Sequence, residues 1–311
     1  MRTKPFVRTL LALSLSSATF FAVQAQDAAP AAYRTVNELV AASAPEDWRT
    51  PDPENTLYLE LASGRVVFEL APAFAPKHAE NIRTLIRDGY FDGLAIIRSQ
   101  DNYVVQWGDP EEDEKKARPF KTAKAKLAGE FTVPWQDNMP FTRLPDDDGY
   151  AQVVGFSNGF WIGRDLRTQE TWLTHCYGTL GVARGNETDS GNGAQLYVTT
   201  GHAPRHLDRN ITLAGRVIHG IELLSTLPRG APPMGFYATP EQRIPIKSMH
   251  VATDVPEKDR TPLEVLRTDT PLFTQIIESK RNRRDPWTQL PAGHIELCNV
   301  PLPVRVKAEA K

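Results

Sequence analysis

The sequence predicts a mainly β fold built from antiparallel hairpins, with one amphipathic helix early in the chain. Three stretches carry that expectation. Leu57-Tyr-Leu-Glu-Leu61 and then Val66, Phe68 and Leu70 alternate apolar and other side chains on either side of Ser63-Gly64, a turn. Leu94 to Ile97 is an apolar run that ends on Arg98, and Tyr103 to Trp107 is a second run with one polar member, Gln106. Ser99-Gln100-Asp101-Asn102 joins them, and turn formers of that kind read as a hairpin connection. Between these hairpins Pro76 opens a helix with Ala79, Ile82, Leu85 and Ile86 on one face, and Gly89 stands where a C-terminal cap is expected.

In chain order, residues 1–25 read as a secretory signal peptide. Arg2, Lys4 and Arg8 precede the apolar stretch Leu10 to Val23, and Val23-Gln24-Ala25 offers small residues for cleavage after Ala25. The stretch is too short to span a membrane, which takes about 20 apolar residues. Export is therefore expected, to the periplasm by default with secretion as the alternative, and with no stable membrane insertion after cleavage. Removing those three cations from 36 basic residues leaves 33 against 38 acidic ones, a mature net charge of about −5. No basic stripe suggests nucleic acid. Residues 26–55 form an N-terminal segment: Gln26 to Ala32 is Ala/Pro-rich and expected to be disordered, and Val36 to Pro53 holds a turn or so of helix.

After the second hairpin, Gly108-Asp109-Pro110 stops the strand and Glu111 to Lys126 is a charged, solvated loop. The chain to Trp172 carries its own aromatics, among them Trp135, Phe141, Phe156 and Trp161, too many for wholly disordered sequence. Gly178 to Gly185 reads as a strand and turn. Along Gln195 to Thr199, Gln195, Tyr197 and Thr199 share one strand face and Leu196 and Val198 the other. Ile218, Ile221, Leu224 and Leu227 suggest a helix ending at Pro228, and Ile244 to Val251 a closing strand. In the tail, Leu263 to Lys280 suggests a helix and His294 to Val306 an extended segment. Cys176 and Cys298 can pair in an oxidising compartment or stay as buried thiols, and the sequence leaves that choice open.

Five separate words, in order, resemble the cyclophilin family of peptidyl-prolyl isomerases. The longest is Gly89-Tyr-Phe-Asp-Gly93 followed in register by Arg98, Gln106 and Gly108-Asp109-Pro110. The others are Gly64 to Leu70 with Ala75-Pro76 through Asn81, Gly178 to Gly185, Gly191 to Thr199, and His206-Leu207-Asp208 with Ala214 to Val217. The departures are Ile96-Ile97 where the family has Phe-His, Ser99 for Val, Tyr103 for Phe, Val104 for Met and Trp107 for Gly. The resemblance implies a closed antiparallel β-barrel with capping helices over residues 56–252, carrying an insertion at about 111–172 and followed by a C-terminal extension, 253–311.

The same resemblance implies an isomerase acting on proline-containing polypeptides, with no cofactor and no metal. Arg98 takes the place of the catalytic donor, with Gln106 beside it. Tyr103, Val104, Tyr197 and Leu207 would line the proline pocket, with Ile211 where the family usually has His. Ala183, Arg184 and Gln195 would form the adjoining groove, and His206 replaces a family Trp. The two tyrosines are expected to narrow a pocket built for phenylalanines. The chemistry suits these residue types. Rotation about the amide faces a barrier of about 18–20 kcal/mol from resonance. No bond breaks, so no nucleophile is needed. In the twisted state the prolyl nitrogen regains a basic lone pair, and a fixed, permanently charged donor such as Arg98 binds that state best.

Rival motifs are weaker. Gly155-Phe-Ser157-Asn-Gly159 has the form of a hydrolase elbow, but Asn158-Gly159 is a poor helix start. Asp146-Asp147-Asp148 lacks the remaining ligands of a calcium loop. Pro204 separates His202 from His206, and His175 beside Cys176 reads as a core pair rather than a metal site. The alternative from another class is a binding module on the same fold with little isomerase activity.

Overall fold

The structure, a computed structural model, describes residues 33–111 and 115–307, so the expected leader and the segment up to Ala32 lie outside the described residues. Helix α1 (Val36–Ala41) starts at Thr35, whose hydroxyl accepts the Glu38 N–H while the Glu38 carboxylate accepts the Thr35 N–H. Strand β1 (Trp48–Arg49) follows. The first hairpin is β2 (Thr56–Leu61) and β3 (Gly64–Leu70), paired out to Leu61 opposite Gly64. Helix α2 (Pro76–Arg87) buries Ala79, Ile82, Leu85 and Ile86, and the chain leaves it through Gly89 at φ +70°. The second hairpin is β4 (Ala95–Ser99) and β5 (Val104–Gly108), turned by Asn102 in the left-handed region. The described residues of 111–126 form no helix or strand.

Residues 127–173 hold a sheet of their own, of β6 (Val133–Pro134), β7 (Thr142–Arg143), β8 (Val153–Ser157), β9 (Phe160–Asp165) and β10 (Glu170–Leu173) in the order β6-β10-β9-β8-β7. Ser157 pairs with Phe160 across the two-residue turn Asn158-Gly159, both at positive φ, so the serine lies in a tight hairpin and not at a strand-to-helix elbow. The main sheet resumes with β11 (Thr179–Val182), β12 (Gln195–Thr199) and β13 (Leu213–His219). It is completed, after the short helix α3 (Glu222–Ser225), by β14 (Ile244–Pro245) and β15 (Ser248–Val251). The tail adds β16 (Leu263–Leu266), α4 (Pro271–Arg281) and β17 (Val304–Val306).

The main sheet is antiparallel throughout, in the order β14-β4-β5-β12-β11-β13-β3-β2-β15. Its two edge strands, β14 and β15, are neighbours in the chain, so the sheet curls until one continuous segment meets both edges. Ile246 N–H donates to Leu94 O and Lys247 N–H to Glu60 O. Inside the curl, Leu57, Leu59, Phe68, Trp107, Leu180, Leu196 and Val198 pack beneath α2.

Two expected helices are corrected. Ile218 belongs to β13, because Val217 and its neighbours pair with β3 until Gly220 turns the chain, and only Glu222–Ser225 is helical. In the tail, Leu263–Leu266 pairs with β1 and β17, and the helix waits for Pro271, with Thr270 capping it. Proline suits a first helical turn and not an interior one.

The N-terminal segment, the 127–173 sheet and the tail share a second core. Leu39, Trp48, Phe156, Trp161, Leu266, Phe273, Ile276 and Ile295 are all buried in it. Phe156 meets Phe273 edge-on at 4.9 Å between centroids. Arg281 clamps Asp146 through Nε at 2.7 Å and Nη2 at 2.9 Å. Cys176 and Cys298 form a disulfide across 122 residues, tying the tail to the lead-in of β11.

Closing so long a loop removes unfolded-chain entropy. Replacing both cysteines by serine should therefore lower unfolding stability by about 2–5 kcal/mol. Denaturant titration of the variant beside the oxidised parent measures this, and equal midpoints would contradict it.

Candidate active site

One row of residues crosses four strands. Arg98 stands opposite Gln106, Gln106 opposite Tyr197, and Tyr197 opposite Gly181. Simple alternation along β4 would not put Arg98 there. Ile96 faces Trp107 in the core, so the next pair outward should be Ile97 with Gln106, and Arg98 should point inward. Instead the register slips between Ile96 and Arg98. Ile97 is the extra residue of a β-bulge, and the bulge turns the guanidinium to the outer face.

Arg98 is then fixed from several sides. Its Nη1 donates to Gln106 Oε1 at 3.1 Å, its Nε to the Met234 carbonyl at 2.6 Å, and its Nη2 to Gln100 Oε1. Gln106 Nε2 donates to Gln195 Oε1 at 2.8 Å, and Gln195 Nε2 to the Asp109 carbonyl at 2.8 Å. The guanidinium lies between two rings, 5.6 Å from the Tyr103 centroid and 5.1 Å from that of Phe236. Burial lowers the pKa of Arg98, partly opposed by Tyr103.

The segment around Met234 and Phe236 is held by backbone bonds from Ser99 N–H to Gly235 O, Gly230 N–H to Ser99 O and Tyr237 N–H to Ile97 O. Both side chains remain exposed at the edge of the row. Sequence reasoning missed this wall and missed Gln100. Met234 is 136 residues from Arg98, and no local pattern links them. The only signal was Gly-Ala-Pro-Pro-Met-Gly-Phe, a turn-rich stretch with two large apolar residues.

Tyr197 has a polar partner that the sequence did not indicate. Its hydroxyl turns away from the row and meets His175 Nε2 at 2.9 Å. Asp208 Oδ1 accepts both the backbone N–H and Nδ1–H of His175, each at 2.9 Å. Asp208 Oδ2 accepts from Arg205 Nε at 2.6 Å, and Arg205 grips Asp148 through both Nη atoms. The acidic triplet 146–148 thus supplies two arginine clamps. Among the described residues no three or more acidic, His or Cys side chains come together as a metal site would require. The Tyr197 phenol is pushed well up by burial, and by nearby Tyr103 and Asp208. Asp208 is pushed up by burial, but hydrogen bonding to His175 and the charge of Arg205 win, and its carboxyl ends below the ordinary value.

The remaining expected residues are scattered around this row. Val104 is buried in β5, and Tyr103 is half-buried just before it. Leu207 is half-buried and His206 exposed on the turn Arg205–Leu207. Ile211 is half-buried beside Phe131, Trp172 and Leu213. Ala183 gives its N–H to Gln195 O, and Arg184 gives Nε to Asn210 O at 2.9 Å with its head 5.6 Å from the Phe131 ring.

The family described as "Cyclophilin type peptidyl-prolyl cis-trans isomerase/CLD" matches residues 56–251. A "Probable peptidyl-prolyl cis-trans isomerase" of Brucella suis is 27% identical over 180 residues, 58% of this chain and 74% of the relative. Human "Peptidyl-prolyl cis-trans isomerase-like 1" is 37% identical over 71 residues, 23% of this chain and 40% of the relative. The crystal structure of "cyclophilin AquaCyp293" from Hirschia baltica superposes with a TM-score of 0.68 at 27% identity, covering 89% of this chain and all of that one.

The depressed Asp208 carboxyl contributes stability that is fully present above its unfolded pKa and is lost as pH falls through the folded one. The urea midpoint should therefore decline as pH drops below about 4. Asp208→Asn should already be weaker at neutral pH, by about 3–5 kcal/mol for breaking a buried pair, and should lose less on acidification. Parallel acid titrations of the two proteins measure the difference.

Proposed function

The chain belongs to the cyclophilin-type peptidyl-prolyl cis-trans isomerase family and is an isomerase; we propose that Arg98 carries the reaction and that its clients are exported proteins. The observation behind the first part is the row of Arg98, Gln106 and Tyr197 on the outer face, with the guanidinium fixed before any substrate arrives. A guanidinium has five N–H donors. Gln106, Gln100 and Met234 O occupy three on Arg98, which leaves others to reach a prolyl nitrogen.

The ring of a substrate proline would rest between Tyr103 and Tyr197. As the X–Pro amide twists, its nitrogen becomes an acceptor and the Arg98 N–H bond to it strengthens. That bond is weak in either planar state, so it lowers the barrier instead of merely improving binding. Gln106, itself held by Gln195, positions the guanidinium and offers an amide to the neighbouring carbonyl. No proton moves, so Ile97 and Ile211 in place of the family's histidines are compatible with turnover.

Loss of one preorganised donor costs about 2.7–4 kcal/mol in rate. Arg98→Ala should therefore lower kcat and kcat/KM together in a proline-isomerisation assay, and Arg98→Lys should fall nearly as far because an ammonium lacks the planar fork. Wild-type kcat/KM in Arg98→Ala would refute the mechanism. The export proposal rests on the character of residues 1–25 and fits the disulfide, which suits an oxidising compartment. Intact-mass analysis of envelope protein should find a mature N-terminus near Gln26, and a full-length chain held in the membrane fraction would count against it.

A further inference from the structure

We propose that His175 is a positioning residue for isomerisation: backed by Asp208, it holds the Tyr197 ring as a fixed floor for the prolyl ring. The inference rests on the reading of Tyr197 as a pocket residue. It begins with room. Gly181 lies directly opposite Tyr197, and a Cβ there would fall 2.1 Å from the ring Cζ and 2.3 Å from the hydroxyl oxygen. Only glycine lets the ring lie so low across β11. The longer side chain therefore does not shrink the pocket; its extra atom goes down beside the strand.

The hydroxyl then needs a partner, because an unpaired phenol in a buried site is costly. His175, fully buried, supplies it. An ionised carboxylate can only accept, so Asp208 fixes a proton on His175 Nδ1 and sets the ring orientation, and in the neutral imidazole Nε2 is then the acceptor for the tyrosine hydroxyl. The two rings lie nearly parallel, 8° apart. A flipped imidazole would lose both contacts. Asp208 is itself held by Arg205, and Arg205 by Asp148 of the 127–173 region. Lifting the Tyr197 ring toward the cleft would orphan its own hydroxyl and the His175 nitrogen at once.

A cluster that merely glued the 127–173 region to the main sheet would affect stability alone. A positioning role appears in substrate affinity. kcat and KM are measured on X–Pro peptides with the full oxidised chain, its Arg98→Ala variant, His175→Leu, His175→Gln, Tyr197→Phe and the double variant His175→Leu/Tyr197→Phe. His175→Leu should raise KM about tenfold with kcat little changed, since it orphans the hydroxyl. His175→Gln, which keeps an acceptor, should recover most of the loss. The double variant should be no worse than Tyr197→Phe alone, because removing both partners leaves nothing unpaired. An unchanged KM in His175→Leu with a lowered Tm, or losses that simply multiply in the double variant, would overturn the proposal. If His175→Leu fails to fold, Tyr197→Phe decides: a severalfold rise in KM supports the anchor and wild-type KM refutes it. Wild-type activity in Arg98→Ala would instead sink the reading of the site as a whole.

Discussion

The bulge at Ile97 is the constraint on which the site depends. A β-strand has a side-chain period of two, so every residue on β4 has its face set by register. Ile96 belongs to the core with Trp107. An unbroken ladder would carry Arg98 inward, where a lone guanidinium has no charge partner among the apolar side chains. One inserted residue reverses that outcome and also brings the Arg98 backbone beside Phe236. The bulge therefore turns the cation to the outer face of the sheet, where the 230–237 segment holds it and keeps it largely buried.

The row also explains why its members tolerate each other. Gln106, between Arg98 and Tyr197 in register, is acceptor to the first of these and donor to Gln195. Gln195 passes its own N–H to the Asp109 carbonyl. Each amide is thereby oriented by the next, which avoids the cost of half-satisfied buried polar groups. On the far side, the Tyr197 hydroxyl joins a second polar chain that runs away from the cleft. Two networks meet at this row without sharing a donor.

What the sequence made legible follows from locality. The hairpins and α2 were readable because alternation, a proline at a helix start and turn formers act over a few positions, whereas the residues of the row were named from the family resemblance and not from the alternation of β4. The bulge was not readable, since nothing in Ala95-Ile-Ile-Arg98 marks which isoleucine is extra. The partners of Arg98 and Tyr197 were not readable either: Met234 and His175 reach them through tertiary folding, and a histidine beside a cysteine looks like ordinary core. The tail misled for a related reason. Leu263–Leu266 has no partner within the tail's helical stretch; it becomes a strand only because Trp48–Arg49 and Val304–Val306 flank it.

The same covering pieces account for the buried outer side of the main sheet. Tyr58, Val67 and Ile218 point away from the main core, yet they are buried against Leu263 and Val265. β2 and β3 are thus buried on both faces, which is why apolar Tyr58 and Val67 stand at positions where the alternation of a half-exposed strand would put polar residues. Polar residues on that side must be neutralised in place. Glu69 and Arg216 are cross-strand neighbours, and Arg49 grips the Glu69 carboxylate through two nitrogens. Burial pushes the Arg216 pKa down to about 10, against the pull of Glu69. It still ionises at neutral pH, with the Phe160 and Trp161 rings at 5.9 and 5.8 Å as further support for its charge. The 127–173 sheet can therefore cover a charged stretch of the main sheet because it brings aromatic faces to the cation, while β1 brings the arginine that satisfies the acid.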